Sequence, residues 1–535
     1  MGRYNVVTIS PLTGAIAASN SGGSFGPELK YAGYDMLVIE GRANVPVYLW
    51  INNDHVEIRE ASYMWGEMVP ETTEIVRVAT DEDAKVACIG PAGEKLSLIA
   101  SIMNEMHRAA GRSGVGAVMG AKNLKAIAVV GTAPIKVANS QDFEKAVILT
   151  REKISEHPVG GTGLRLYGTG ILVNIINEVG SLPTHNFRDG HFTTADKTGG
   201  ESLAGHLLIR AKGCFACVIS CGRVTKVTNP KYAGQGEGPE FETTWGFGAD
   251  CGIDNLDAIV KANYLCNEMG LDTISMASTI ACAMDMYTDN IITIDDTDGL
   301  EIRFGDAETM VELVRLTGLR EGFGDQLANG SYRLAEKYGH PEYSMSVKKQ
   351  EMPGYDPRGV QGIGLQYATS NRGGCHVRGY TISPEVLGVP YKLEQHATAG
   401  KAEVVISYQN LGAAFDAAGS CLFATFGIGA DELADLLSAV TGVHYSTADL
   451  LRAGERIWNL ERQWNLKVGM TSGDDALPKR MLQDPIRTGP SKGRVNHLPE
   501  MLPEYYKLRG WDVDGIPTQE KLRELGLIYE VPHNS

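Results

Sequence analysis

The sequence predicts an α+β chain, with a β-rich N-terminal region followed by one or two mainly helical domains. Three observations carry this expectation. Short β-branched and apolar runs bounded by turn residues crowd the first 135 residues. Apolar residues at helical spacing dominate from about residue 137 onward. Neither part shows an internal repeat or a low-complexity tract. A length of 535 residues suits two to four domains or one large enzyme core, with enough interior to need no covalent staples.

The elements follow in order. Residues 6–9 read as a strand that begins almost at the first residue, 11–14 as a turn, and 20–23 as a polar, glycine-containing loop. Residues 34–40, 47–51, 85–90 and 124–131 read as further strands, and 94–108 as one helix. Helices are expected at 142–157, 255–269, 307–317 and 332–338, and through most of 431–465. The acidic stretch 288–306 reads as a surface connection.

Composition narrows the function. Hydrophobic residues make up 43% and charged residues 21%, an ordinary globular balance. A net charge of −16 argues against a general nucleic-acid binder, which needs a basic face. No apolar run approaches the ~20 residues of a membrane span. The start lacks the basic and apolar regions of a secretory signal, so a cytoplasmic protein is expected. The 63 glycines are dispersed, as suits tight turns and close backbone approach to a ligand.

The nine cysteines do not suggest a disulfide framework, because their number is odd and three crowd into eight residues. The run GCFACVISCG at 213–222 spaces Cys214, Cys217 and Cys221 as Cys-x2-Cys-x3-Cys. Three thiolates from one loop can grip an iron–sulfur cluster, with a fourth ligand from far away. A zinc site is the alternative, but no second Cys/His pair stands nearby. Three buried structural cysteines are the bland reading. The fourth ligand is to be sought among distant cysteines such as Cys421 and Cys266. Two stretches there resemble each other: Asn267 to Asp272 and Asp416 to Cys421 share a polar residue, two spacers, Gly, one residue, then Asp or Cys. Paired loops of this kind suggest two related sites for one symmetric ligand.

Several long motifs in order resemble the aldehyde:ferredoxin oxidoreductase family, the tungsten (sometimes molybdenum) bis-pterin enzymes. They include RYNVVT at 3–8, SPLTG at 10–14, ASNSGG at 18–23, IGPAGE at 89–94, HRAAGR at 107–112, GVGAVMG at 114–120 and NLKAIAV at 123–129. YDPRG at 355–359, TSNRGGCH at 369–376 and DDALP at 474–478 continue the likeness to the end of the chain. The resemblance implies a pterin-cofactor domain of two sheets at 1–136, a helical domain at 137–345 carrying the cysteine run and first pterin loop, and a helical domain at 346–535. Family members carry a further β segment, roughly 70 residues, before the Gly2-Arg3-Tyr4 run. A truncated start is therefore expected, whose missing strands would bare sheet edges and apolar faces.

The resemblance also implies roles. Cys214, Cys217, Cys221 and Cys421 would hold a [4Fe–4S] cluster. Arg3 would lie between cluster and pterin and donate to both through its planar fork. Asn20, Gly22, Arg108, Ala109, Gly111 and Arg112 would line the pterin phosphates and a bridging Mg2+. Asn267, Gly270, Leu271 and Asp272 would form the first pterin loop, and Asp416, Gly419 and Ser420 the second. Asn267 stands where an aspartate can occur, and Ser420 where leucine is common. Turn or helix-cap roles are the bland reading of Asp272 and Asn267. Glu240 matches the active-site glutamate, with Glu237 and Glu242 as neighbouring alternatives, and His376 would hydrogen-bond the substrate oxygen. Cys375 matches no role and is expected to be buried.

The implied reaction oxidises an aldehyde to a carboxylate, with electrons leaving through the cluster to ferredoxin or a similar carrier. A homo-oligomer or a small Fe–S subunit are further possible partners. Two readings compete with it: a catalytic subunit of a tungsten benzoyl-CoA reductase-like complex, and a non-catalytic Fe–S protein or inactive fragment. The first rival would carry a cysteine ligand to the metal, and the loop Gly270-Leu-Asp-Thr273 offers none.

Overall fold

The computed structural model describes residues 2–528. β1 (Tyr4–Ile9) and β2 (Ile16–Ser21) form an antiparallel hairpin in which Tyr4 faces Ser21 and Ile9 faces Ile16. The loop between them closes through Ser10 N–H to Ala15 O at 2.9 Å and Gly14 N–H to Ser10 O at 2.9 Å. A six-stranded sheet follows, built from β3 (Val47–Asn52), β4 (His55–Glu60), β5 (Lys85–Cys88), β6 (Ile102–Asn104), β7 (Arg108–Ala110) and β8 (Leu124–Val130). Its order is β4-β3-β8-β5-β6-β7, and β3–β8 is its parallel pair. β8 is buried along nearly its whole length, as its run of Leu, Ala, Ile and Val requires of a central strand.

Two expectations are corrected here. Residues 94–108 are not one helix. Helix persists only over Pro91–Glu94, and the chain then forms β6 and β7. Leu96, Glu105 and Met106 all have left-handed φ, of 59°, 52° and 67°, which a continuous helix forbids. A short apolar run fits either period, and pairing with β5 decided it. Residues 34–40 form no strand. Met36 and Val38 are 74% and 70% exposed there, and β-propensity without a pairing neighbour makes no strand.

Helix dominates beyond residue 139. The helices Ser140–Glu156, Leu256–Met269, Ala307–Leu319, Ser331–Lys337, Ala430–Thr441 and Thr447–Lys467 stand where the periodicity placed them. A three-stranded antiparallel sheet carries the cysteine run: β9 (Leu208–Lys212), β10 (Gly222–Val227) and β11 (Gly234–Glu237), in the order β11-β10-β9. One apolar core joins Ile154 to Ile219 with Met345 to Trp511, so it runs across the expected boundary at residue 345. A second core gathers around Leu256–Met269 and Thr273–Thr288 and reaches Leu12, Ile99 and Ala100 of the N-terminal region.

Two helix ends matter for function. Leu256–Met269 stops at Gly270 (φ 75°), and Lys401–Ala417 is followed two residues later by Gly419 (φ 66°). In each, the next amide reaches back five residues: Leu271 N–H to Cys266 O at 2.8 Å, and Ser420 N–H to Phe415 O at 2.9 Å. These are Schellman-type stops, in which a glycine supplies the left-handed turn. The likeness of the two loops in sequence is therefore a likeness in backbone.

The helices Lys401–Ala417 and Thr447–Lys467 pack at Gly454, where an added Cβ would sit 1.9 Å from the Asn410 carbonyl oxygen. Backbone cannot yield as a side chain would. Gly454→Ala should therefore destabilise the protein by about 1–3 kcal/mol, read as a lower thermal midpoint, even though alanine is the better helix former.

Candidate active site

A single cleft gathers most of the residues the sequence singles out. Arg3, Asn20, Gly22, Arg108, Ala109, Gly111, Glu240, Asn267, Leu271, Asp272, His376, Asp416 and all four expected cluster cysteines line it. Its cavity is about 320 Å³, within the range of ligand-binding sites. Gly270, Gly419, Ser420 and Arg112 stand behind this lining. The first three shape the loops, and Arg112 acts from the second rank.

At one end lie Cys214, Cys217, Cys221 and Cys421, all free thiols and all partly buried. Burial pushes the Cys421 thiol up, the Arg3 guanidinium opposes that, and Cys214 and Cys217 are near enough to add to it. Cys221 is likewise raised by burial, with Glu240, Arg108, Cys421 and Cys214 about it. Cysteines 200 residues apart in the chain thus face one space. Among the described residues, no three His, Cys, Asp or Glu side chains close around a single ion.

Arg3 sits at the centre. Its backbone N–H donates to Gly419 O at 3.0 Å, its Nε donates to Asn20 Oδ1, and its guanidinium lies 3.8 Å from Cys421 Sγ. Gly22 is the close approach beside it: a Cβ there would meet Cys214 Sγ at 2.8 Å and the Arg3 guanidinium at 3.2 Å.

Two carboxylates mark the paired loops. Asp272 caps the helix Thr273–Thr288, accepting from Ile274 N–H at 3.2 Å and Ser275 Oγ at 2.9 Å, and lies 3.4 Å from Arg112. The helix-cap role foreseen as the bland alternative is therefore real. Asp416 accepts from Arg378 Nε at 2.7 Å, and Arg378 is held in turn by Glu461 at 2.5 Å. Sequence reasoning missed Arg378, because nothing local ties it to either loop. Asn267 donates to the Glu237 carbonyl at 3.2 Å.

Arg108, expected among the phosphate ligands, is engaged by two carboxylates of the cleft. It pairs with Glu237 at 3.1 Å and Glu240 at 3.8 Å, beside Cys214 and Cys221. A Cβ on Gly222, the residue after Cys221, would collide with it at 2.2 Å.

The far end holds Glu242 and His376. The carboxyl beside His376 is Glu242, 3.5 Å from its Nε2, and not Glu240. Glu240 is 41% exposed and accepts from Thr169 Oγ1 at 2.5 Å. The physical cause is helical: Glu240 is the N-cap of the short helix Phe241–Trp245, which turns Glu242 toward the interior. Burial pushes the Glu242 carboxyl up to about 8, against a hydrogen bond from Gly354 N–H at 2.8 Å. Burial, aided by Arg112 and Arg372, pushes His376 down to about 3. The contact is therefore a neutral imidazole beside a carboxyl that titrates near working pH, and not an ion pair. Tyr355 and Tyr380, which share a 3.0 Å hydroxyl contact, pack on His376. Cys375 is buried, as expected, with Arg372 donating to its sulfur at 2.8 and 3.0 Å.

These surroundings fit a large polar cofactor. Glu237 faces Arg108 and Lys212, Glu242 faces His376, and Arg112 faces Asp272, so a strongly polar wall borders the cleft. Four free thiols at one end supply the soft donor set of an iron–sulfur cluster.

Comparison with known proteins agrees. Aldehyde ferredoxin oxidoreductase, N-terminal domain, matches residues 1–131, and aldehyde ferredoxin oxidoreductase, domains 2 and 3, matches residues 145–527. The tungsten-containing aldehyde ferredoxin oxidoreductases of Pyrococcus furiosus and Thermococcus kodakarensis are each 52% identical, over 98% of this chain and 87% of theirs. A solved structure, the active site complex BamBC of benzoyl coenzyme A reductase with 1,5 dienoyl-CoA, superposes with a TM-score of 0.82 at 26% identity, over 98% of this chain and 86% of that one. With both family regions matched in order and half the residues identical to such relatives, this chain belongs to the aldehyde ferredoxin oxidoreductase family.

Proposed function

We propose that this protein oxidises aldehydes to carboxylic acids and delivers the electrons to a ferredoxin-type carrier. The observation that carries the reading is one cleft with four free thiols at one end and the buried Glu242–His376 pair at the other. The names of the 52% identical relatives support it. The benzoyl-CoA reductase likeness is more distant, and the loop from Gly270 to Thr273 contains no thiol. The chain is read as cytoplasmic. No helix among the described residues is long and apolar enough to cross a membrane.

Cys214, Cys217, Cys221 and Cys421 would hold a [4Fe–4S] cluster. Asn20, Gly22, Ala109, Gly111, Asn267, Leu271, Asp272 and Asp416 would hold a tungsten (or molybdenum) bis-pterin, with Arg108 and Arg112 neutralising phosphate charge and its Mg2+. When bound, these groups accept two electrons from the substrate and release them singly. The protein's own residues do the rest. Neutral His376 donates a hydrogen bond to the aldehyde oxygen and so polarises the carbonyl. Glu242, as carboxylate, takes the proton from the water that adds to the carbonyl carbon. Tyr355, Tyr380 and Phe241 wall the pair off from bulk water. The balance is RCHO + H2O → RCOO− + 3H+ + 2e−, with two oxidised carriers each taking one electron. Glu240, at the mouth, has no part in the proton transfer.

Three outcomes follow. Glu242→Gln should lower kcat/KM on the order of 10²–10⁴-fold in a viologen-linked aldehyde assay, and Glu240→Gln by less than about tenfold. Because Glu242 acts deprotonated, the rate should climb as pH rises through about 8, and Glu242→Gln should abolish that limb. Gly22→Val should force Cys214 aside, so the purified protein should lose most of its iron, about four atoms per chain, as measured by metal analysis.

A further inference from the structure

We infer that the electron acceptor docks on an exposed apolar and basic surface around the cysteine loop, and that this acceptor is a small acidic iron–sulfur protein. The inference rests on the reading that Cys214, Cys217, Cys221 and Cys421 hold an electron-passing cluster. The surface is Leu166, Ile209 and Phe215, flanked by Arg165 and Arg210.

Phe215 is the centre of the surface. It lies between two expected cluster ligands and is 39% exposed, although a large aromatic in so short a loop would ordinarily be tucked away. It is fixed in place, since its N–H donates to Gly23 O at 3.1 Å and its ring meets Tyr31 edge-on at 6.2 Å. β9 is the edge strand of its sheet, runs directly into this loop, and carries Ile209, 49% exposed, and exposed Arg210. The register sets Lys212 opposite Gly222, next to Cys221, and Arg210 opposite Val224. On the other flank, buried Arg223 donates to Cys221 O at 3.2 Å, Arg165 O at 3.0 Å and Leu166 O at 2.9 Å. That one guanidinium ties 53%-exposed Leu166 and exposed Arg165 to the cysteine run.

Charge chooses the partner. The whole chain carries −16, so most of its surface repels an acidic protein. Arg165 and Arg210 face solvent here, whereas Lys212 is turned inward to Glu237. A local cationic rim around apolar side chains steers and seats an acidic carrier beside the cluster thiols, where an electron has least protein to cross. Such encounters are small and transient, which a few exposed residues suffice to support.

The test uses the purified holoenzyme and a small acidic two-cluster ferredoxin, with binding measured by calorimetry at low salt. Two surface variants, R165E/R210E and Ile209→Glu, are compared with wild type. In both, the ferredoxin Kd and the KM for ferredoxin should rise about tenfold or more, while viologen-linked aldehyde oxidation and iron content stay unchanged. An unchanged Kd in both variants, or no binding by wild type, overturns the docking surface. A wild type that binds ferredoxin yet oxidises no aldehyde with the dye overturns the functional reading instead, and the calorimetric comparison still decides the surface.

Discussion

The structure depends on one arginine and the loop it ties down. Arg3 stands at the start of the first strand, and its partner Cys421 is 418 residues away. Its backbone N–H fixes Gly419, and its side chain spans Asn20 and Cys421. Gly22 closes the same corner from β2's end, with no room for a Cβ beside Cys214. One charged side chain therefore joins the β hairpin, the cysteine loop and the second glycine-stopped helix. A guanidinium suits this position because it stays charged when buried and donates in several directions at once. Lysine could supply the charge but not the fork.

Around that corner, burial sets the chemistry. The cleft places ionisable groups where water cannot solvate them, and their neighbours decide which form survives. Asp416 stays paired through Arg378, and Arg378 through Glu461. Glu242 and His376 receive no such compensation, so both move toward neutrality, the carboxyl up to about 8 and the imidazole down to about 3. Two titratable groups within 3.5 Å are thus pushed in opposite directions by the same burial. Burial likewise pushes the Cys221 and Cys421 thiols up, and a bound metal would reverse that.

Much of the site was legible in the sequence because it is locally encoded. The Cys-x2-Cys-x3-Cys run needs one loop, and each glycine-stopped helix needs one turn. Even the kinship of the two loops appears as a shared spacing, because identical backbone stops demand glycine at the same offset. What was not legible depends on which face of an element turns inward. Glu240 and Glu242 are equally acidic and two residues apart, and only the short helix between them decides which is buried. Residues 94–108 carry a pattern that fits helix or strand, and the open edge of β5 settled it.

The sequence by itself determined the order of β-rich and helical regions, the run of three cysteines and the two loops, since short-range spacing and turn chemistry fix these, and its motifs in order carried the resemblance to the family. The tertiary structure decided which carboxyl faces His376, what holds Asp416, where Arg108 goes, and that residues 154–219 share a core with the C-terminal third. Those outcomes rest on contacts between residues tens to hundreds of positions apart. Burial and pairing across such distances have no counterpart in local pattern.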